Sequence, residues 1–286
     1  VYDKGAYDKL VDDLPFEIVK KSIFIRLVEE FIFQRLKNRE IKIPVYLSAG
    51  QEYCASAVSY FFREAKKIEP HVFVQHRNHH TYLSFEGSLE QLFFELIGDE
   101  RGCVAGMGGS ASLQSKSANI FGHDGLMGSQ APIAVGYAFA SEKMTICYAG
   151  DAAAEEDYYL AALGWASTKK LPILFVVEDN NLSIMTKVSV RRSWKISEVA
   201  KSFGLKVFDI DDDPQEILSC LNSIKKFPAL MNIRTNRLYW HAGAGIDDPN
   251  IFDRHQSVCD QFDLDFVREL EDRSINEINT IWNKCK

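Results

Sequence analysis

Apolar residues near the start of the chain recur at a roughly helical period. Phe16, Val19, Ile23, Leu27, Phe31 and Phe33 are separated by charged residues, and the pattern predicts a helical segment over residues 1–46 that Pro44 closes. Gln51 to Lys66 predicts a second helix, rich in Ala and aromatic residues. Ser88 to Ile97 predicts an amphipathic helix behind a Ser N-cap. Between these two lies a polar, histidine-rich stretch, His76 to Thr81. Arg101 to Gly128 differs from all of them, with Gly102, Gly106, Gly108, Gly109, Gly122, Gly125 and Gly128 among many Ser and Asn. That density predicts a loop whose backbone must approach something closely.

After it, Ala131 to Ala140 is small and apolar and predicts a tightly packed helix. Strand and helix patterns then alternate. Met144–Tyr148, Pro172–Val177, Lys206–Ile210 and Ala229–Arg234 predict strands. Asp157–Thr168, Ile196–Phe203 and Pro214–Ile224 predict the helices between them. Continuous apolar strands alternating with helices indicate an α/β fold, a mainly parallel sheet with helices on both faces. The whole of 1–286 reads as one domain, and 250–286 as a C-terminal helical segment with a peripheral helix from Asp263.

Composition narrows the function classes. Hydrophobic residues make up 46% of the chain, which argues against disorder. A net charge of -7 without a long basic run argues against nucleic acid as a partner. No stretch is long and apolar enough to span a bilayer, and Val1 to Leu10 lacks the apolar core of a signal peptide. The six cysteines are scattered and form no C-x-x-C pair, which suits reduced thiols in the cytoplasm.

Two polar clusters follow consecutive predicted strands: Gly150-Asp151, and Glu178-Asp179-Asn180-Asn181. In a parallel sheet both lie at one edge, where ligands of such sheets bind. A carboxylate and an amide oxygen are hard ligands that suit magnesium shared with a phosphate group. Gly150 allows a sharp turn, and the following helix offers its N-terminus to an anion. Taken singly, Asp151 is equally a helix cap and Asn180-Asn181 a turn. Together, with the glycine-rich segment upstream, they read as a magnesium-diphosphate site.

Gly150-Asp151 and Asn180 resemble the thiamine diphosphate motif. More closely, the chain resembles the alpha subunit of the two-subunit thiamine-diphosphate 2-oxo-acid dehydrogenases of the pyruvate, branched-chain and acetoin types. Ser48-Ala49-Gly50-Gln51-Glu52 resembles that family's Gly-Gln-Glu helix entry, and His76-Arg77-Asn78-His79 its Tyr-Arg-x-His segment. Gly106-Met107-Gly108-Gly109-Ser110 resembles its Gly-Gly-Ser loop, and Gly125 to Pro132 its Gly-Ile-Val-Gly-Ala-Gln-x-Pro. Leu171 to Asn181 resembles its Leu-Pro-strand-Glu-Asn-Asn, and Arg237 to His241 with Asp248-Pro249 its Arg-Tyr-His-Gly-His and Asp-Pro segment. The order of so many matches makes the resemblance specific.

The resemblance implies thiamine diphosphate and Mg2+ as cofactors. Asp151 and Asn180 would bind the metal by side chain and Leu182 by its carbonyl, with Gly150 and Ala152 beside them. Arg77 would meet the diphosphate, where a guanidinium fork suits phosphate oxygens. Gly125 and Met127 would meet the aminopyrimidine through backbone groups. His241 would lie over the cofactor near diphosphate and substrate, and His79 would be a second catalytic residue. His76 and His80 have helical spacing, but no accompanying Glu makes a zinc-type motif. His123 reads as a loop residue.

The chain also departs from the family pattern. Ala152 stands for the motif's third Gly, Ala161 and Gly164 for a Glu and an Asn, and Ser112 for a His. His76 replaces the Tyr before the Arg, and Trp240-His241-Ala242-Gly243 replaces Gly-His-Ser. Asn181-Leu182-Ser183-Ile184 also resembles transketolases. The implied reaction is decarboxylation of a 2-oxo acid and transfer of the activated acyl unit, dehydrogenase fashion, to a lipoyl-carrier acyltransferase. A carboligase acting on an aldehyde or sugar, or a noncatalytic assembly subunit, are the alternatives. The family implies a beta-type partner that supplies the Glu activating the aminopyrimidine, in an α2β2 heterotetramer.

Overall fold

The computed structural model describes residues 14–286. Val1 to Leu10, and the start of the predicted 1–46 segment, lie outside the described residues. Helix α1 (Phe16–Lys37) follows Pro15. It buries Ile18, Val19, Ile23 and Ile25 together with Arg26 and Glu29, so burial reaches around most of the helix and the apolar period is only rough. Helix α2 (Glu52–Ser59) is buried at every position and runs into a π-helical turn, Tyr60–Ala65.

The sheet begins with β1 (His71–Phe73) and β2 (Ile120–Phe121), separated by α3 (His79–Ser84), α4 (Leu89–Ile97) and the glycine-rich segment. Neither strand is predicted by the sequence pattern. Runs of three and two residues are too short to show a period. Then come α5 (Gln130–Ser141), β3 (Thr145–Gly150), α6 (Asp157–Lys169) and β4 (Ile173–Asp179). A small hairpin, β5 (Leu182–Ser183) and β6 (Thr186–Lys187), leads through α7 (Val188–Arg191) to α8 (Ile196–Ser202). The remaining elements are β7 (Lys206–Asp211), α9 (Pro214–Ser223), β8 (Ala229–Arg234), α10 (Arg254–Cys259) and α11 (Leu264–Cys285).

Six strands pair in the order β2-β1-β3-β4-β8-β7, every pair parallel. Alternate residues feed two cores. Ile146, Tyr148, Leu174 and Val176 join α1, α2, α4 and α11 on one face. Cys147, Ala149, Phe175 and Val177 join the alanine-rich α5 and α6 on the other. Coverage of both faces explains why the strands are apolar without alternation. The C-terminal helix lies at the periphery, with most of its residues outside the core, and buries one face. It packs on α1 and sets Trp282 edge-on at 5.5 Å from Phe31 and 5.2 Å from Phe93.

The glycine-rich segment does wrap around something, and that is a buried carboxylate of α4. Glu95 accepts backbone N–H groups of Val104 at 2.8 Å, Gly106 at 3.0 Å, Gly108 at 2.7 Å and Gly109 at 2.9 Å. A side chain at Gly102 would sit 2.5 Å from the same carboxylate. Glu95→Ala would strand four donors, so we expect a stability loss of about 3 kcal/mol or more in chemical denaturation. A loss below ~1 kcal/mol would show that this anchor is dispensable.

Candidate active site

The parallel sheet delivers the polar residues to one edge. His76 and Arg77 follow β1, His123 and Gly125 follow β2, Asp151 follows β3, Asn180 follows β4, and Arg237 and His241 follow β8. From β1 the sheet continues to β2 on one side and β3 on the other. The edge between β1 and β3 is therefore a topological switch point, where open parallel sheets form a crevice.

The register pairs Gly150 with Glu178, so Asp151 comes level with Asp179 and Asn180 lies one residue beyond. Asp151 is buried, and its carboxyl is raised above the usual range, first by burial and then by Asp179, against the pull of Arg191. A buried carboxylate next to another needs a cation. Here the cations are guanidinium groups: Arg191 donates to Asp151 Oδ2, and Arg192 donates at 3.0 Å to the Asp151 carbonyl. Asn180 donates to Gln51 Oε1 at 3.2 Å, while its own Oδ1 accepts the Leu182 N–H at 3.1 Å. Asp151, Asn180 and the Leu182 carbonyl offer oxygen donors of the kind that suits a hard divalent cation, which would have to take the place of Arg191 on Asp151. Gly150 lies against Gln75, leaving 3.1 Å to its Oε1 for any added Cβ, and Ala152 begins the short turn into α6.

Next to this lies a cationic patch. Arg77 is buried yet pairs with no carboxylate among the described residues. It donates to the Leu47 carbonyl at 2.5 Å and the His241 carbonyl at 3.0 Å. Burial, aided by Arg237, brings it down to about 10. Arg237 donates to Asp247 at 2.5 Å and to the Ile184 carbonyl at 3.0 Å, leaving Nη1 buried and unpaired. An under-neutralised pair of buried guanidinium groups fits an anion such as a diphosphate. Arg237 and Arg191 were not singled out as site residues in the sequence, because their partners come from distant segments.

The histidines divide by role. His79 is fully buried, with Nδ1 at 2.8 Å from Glu29 and Nε2 at 2.8 Å from Ser110. Both ring nitrogens are engaged, so the geometry makes it a positioning residue instead of a catalytic one. His80 meets Glu178 at 2.5 Å, and Gln75 donates to the other oxygen of that carboxylate. His241 stands in the patch, its Nδ1 3.4 Å from Arg77 Nη2. His76 and His123 stand there too, with ring centroids 6.1 Å apart and His76 5.4 Å from His241. Gly125 has φ +96°, with open space where a Cβ would be. The Met127 carbonyl accepts a hydrogen bond from the Tyr158 hydroxyl and keeps a second lone pair, while the Gly125 N–H is already donated to His123. A cavity of about 620 Å³ flanks Asn180, Leu182 and Arg237. A larger cleft of about 810 Å³, between α1 and α11, is lined by none of the predicted residues.

The family of dehydrogenase E1 components matches residues 20–263.

This chain belongs to the dehydrogenase E1 component family.

It is 28% identical over 255 residues to a protein of Rickettsia typhi named pyruvate dehydrogenase E1 component subunit alpha, covering 84% of this chain and 76% of the relative. A mitochondrial pyruvate dehydrogenase E1 component subunit alpha-1 of Oryza sativa is 35% identical over 155 residues, covering 52% of this chain and 39% of its own length. A transketolase crystal structure from Campylobacter jejuni superposes with a TM-score of 0.60 at 17% identity, covering 94% of this chain and 49% of that one. The last likeness shows the shared α/β fold alone.

Burial favours the neutral form of His76, His123 and His241. Burial, then Arg77, takes His76 down to about 2. Burial, then Arg77 and Arg237, takes His241 to about 4, and burial lowers His123. Unfolded, these rings return to roughly 6.5 and bind protons that the folded chain refuses. Stability is therefore complete above that value and falls as pH drops from about 6.5 toward 4. Urea unfolding midpoints should decline across this window, and a flat profile would contradict the burial of the cluster.

Proposed function

We propose that this chain is the alpha subunit of a thiamine-diphosphate- and Mg2+-dependent 2-oxo-acid dehydrogenase, acting with a beta-type subunit in an α2β2 heterotetramer. The observation that carries the reading is the placement, at one sheet edge, of the oxygen donors Asp151 and Asn180 and of buried guanidinium groups lacking full carboxylate partners. The family match favours it over the carboligase and noncatalytic alternatives. Exposed Met185 and Trp240 on loops and Val190 on α7, 72%, 54% and 76% exposed, suit a covering beta subunit. No helix among the described residues is long and apolar enough to cross a membrane, and all six cysteines are free, which suits the cytoplasm.

In this reading Asp151, Asn180 and the Leu182 carbonyl hold Mg2+, while Arg77 and Arg237 hold the diphosphate. Gly125 and Met127 present backbone to the aminopyrimidine. When bound, thiamine diphosphate supplies the carbanion that adds to the 2-oxo group and takes up the electron pair left as carbon dioxide departs. His241, neutral and anchored through its carbonyl to Arg77, offers its ring as a hydrogen-bonding group next to the reacting centre. The acyl unit passes to a lipoyl-carrier acyltransferase.

Calorimetric titration of thiamine diphosphate into the complex with its beta-type partner tests this reading. We expect tight, Mg2+-dependent binding, weakened by about a hundredfold or more in Asp151→Ala. Binding that is unchanged in that variant would remove the metal assignment, and no binding in a folded complex would favour the noncatalytic reading. His241→Ala should lower turnover more than cofactor affinity. Unchanged turnover would take it out of the catalytic set.

A further inference from the structure

The site contains more imidazole than cofactor binding requires. His76, His123 and His241 form an arc, with Tyr46 edge-on to two of them at 5.1 Å and 5.3 Å. The hydrogen bonds assign their tautomers. His123 Nδ1 accepts the Gly125 N–H at 3.0 Å, so in the neutral ring the proton sits on Nε2. That Nε2–H is buried and has no partner. His241 Nδ1 faces a guanidinium, which can only donate, so its Nε2 also carries the proton. The buried Nε2 of His76 is likewise unpartnered.

The arc is thus rich in hydrogen-bonding groups and poor in charge. Charged groups of a ligand are served by Arg77 and Arg237 close by. Neutral imidazoles pair best with neutral oxygens, and a buried N–H without a partner is costly until a ligand supplies one. An alkyl group placed there would leave these groups unpaired, the situation in which a polar pocket discriminates strongly.

We propose that His76 and His123, with His241, form a specificity wall that recognises a hydroxyl group on the substrate, so that the preferred 2-oxo acid is hydroxylated next to its oxo carbon instead of carrying a plain alkyl chain. This rests on the 2-oxo-acid dehydrogenase reading above. His76 and His123 then set specificity, while cofactor binding stays with Arg77, Asp151 and Asn180.

The test uses the complex with its beta-type partner. The kcat/KM for hydroxypyruvate and for pyruvate is measured with ferricyanide as electron acceptor. Calorimetry compares glycerate with lactate as stable analogues. We expect hydroxypyruvate to be favoured by about tenfold or more, and glycerate to bind more tightly than lactate. His76→Phe should erase about tenfold of that preference and leave thiamine diphosphate affinity within about twofold; His123→Phe should erase about as much of the preference, while His123→Asn, which keeps a donor, should restore part of it. A preference for pyruvate, a ratio unchanged in both Phe variants, or a loss of cofactor affinity as large as the loss of preference would overturn the proposal. The glycerate and lactate titrations do not need turnover, so they decide this point even where the complex fails to bind thiamine diphosphate, a failure that would count against the E1 reading itself.

Discussion

Four fully buried glutamates hold the loops of this molecule in place, and each is tolerated only because another segment satisfies it. Glu29 of α1 meets His79 and the Ser48 N–H at 2.8 Å each. Burial, the largest influence, would raise the Glu29 carboxyl, but the pairing with His79 wins and holds it below its usual range. Glu52 chelates Arg26 at 2.6 Å and accepts the Gly50 N–H at 3.0 Å. Arg26 reaches on to Asp253 at 2.7 Å, tying α1 to α10. Glu95 gathers the glycine-rich loop, and Glu178 takes His80 and Gln75. Removing any one carboxylate leaves donors from a different element unmatched, so the loops around the sheet edge hold one another in register.

The consequence is a separation of charge. The acidic groups near the edge are largely consumed by structure, whereas Arg77 and one arm of Arg237 are left without carboxylate partners. Asp151 too is paired, with Arg191, at the edge where the strand order reverses.

His79 shows how a motif residue is placed by tertiary structure. In the sequence it stands two residues after Arg77 and shares its motif. In the fold it is the first residue of α3, turned between Glu29 and Ser110. Arg77, just before that helix, reaches instead toward Leu47 and His241. His76 and His123 show the reverse. Neither carried a role in the sequence, yet β1 and β2 end side by side and bring their rings together.

The sequence alone determined the parallel α/β class, the helices α4, α5, α6, α8, α9 and α11 within a residue or two, the carboxyl-end placement of Asp151 and Asn180, and the family resemblance. These depend on local period, turn residues and short motifs, which are contiguous in the chain. Tertiary structure decided the rest: the two short strands that complete the sheet, the closure of one core by the C-terminal helix, the anchoring of the glycine-rich loop on Glu95, and the pairings of Arg191 and Arg237. The physical reason is that a buried ion or an unpaired donor is defined by partners far apart in sequence, such as Arg26 with Asp253 or Arg77 with His241, and no local pattern encodes which partner it will meet.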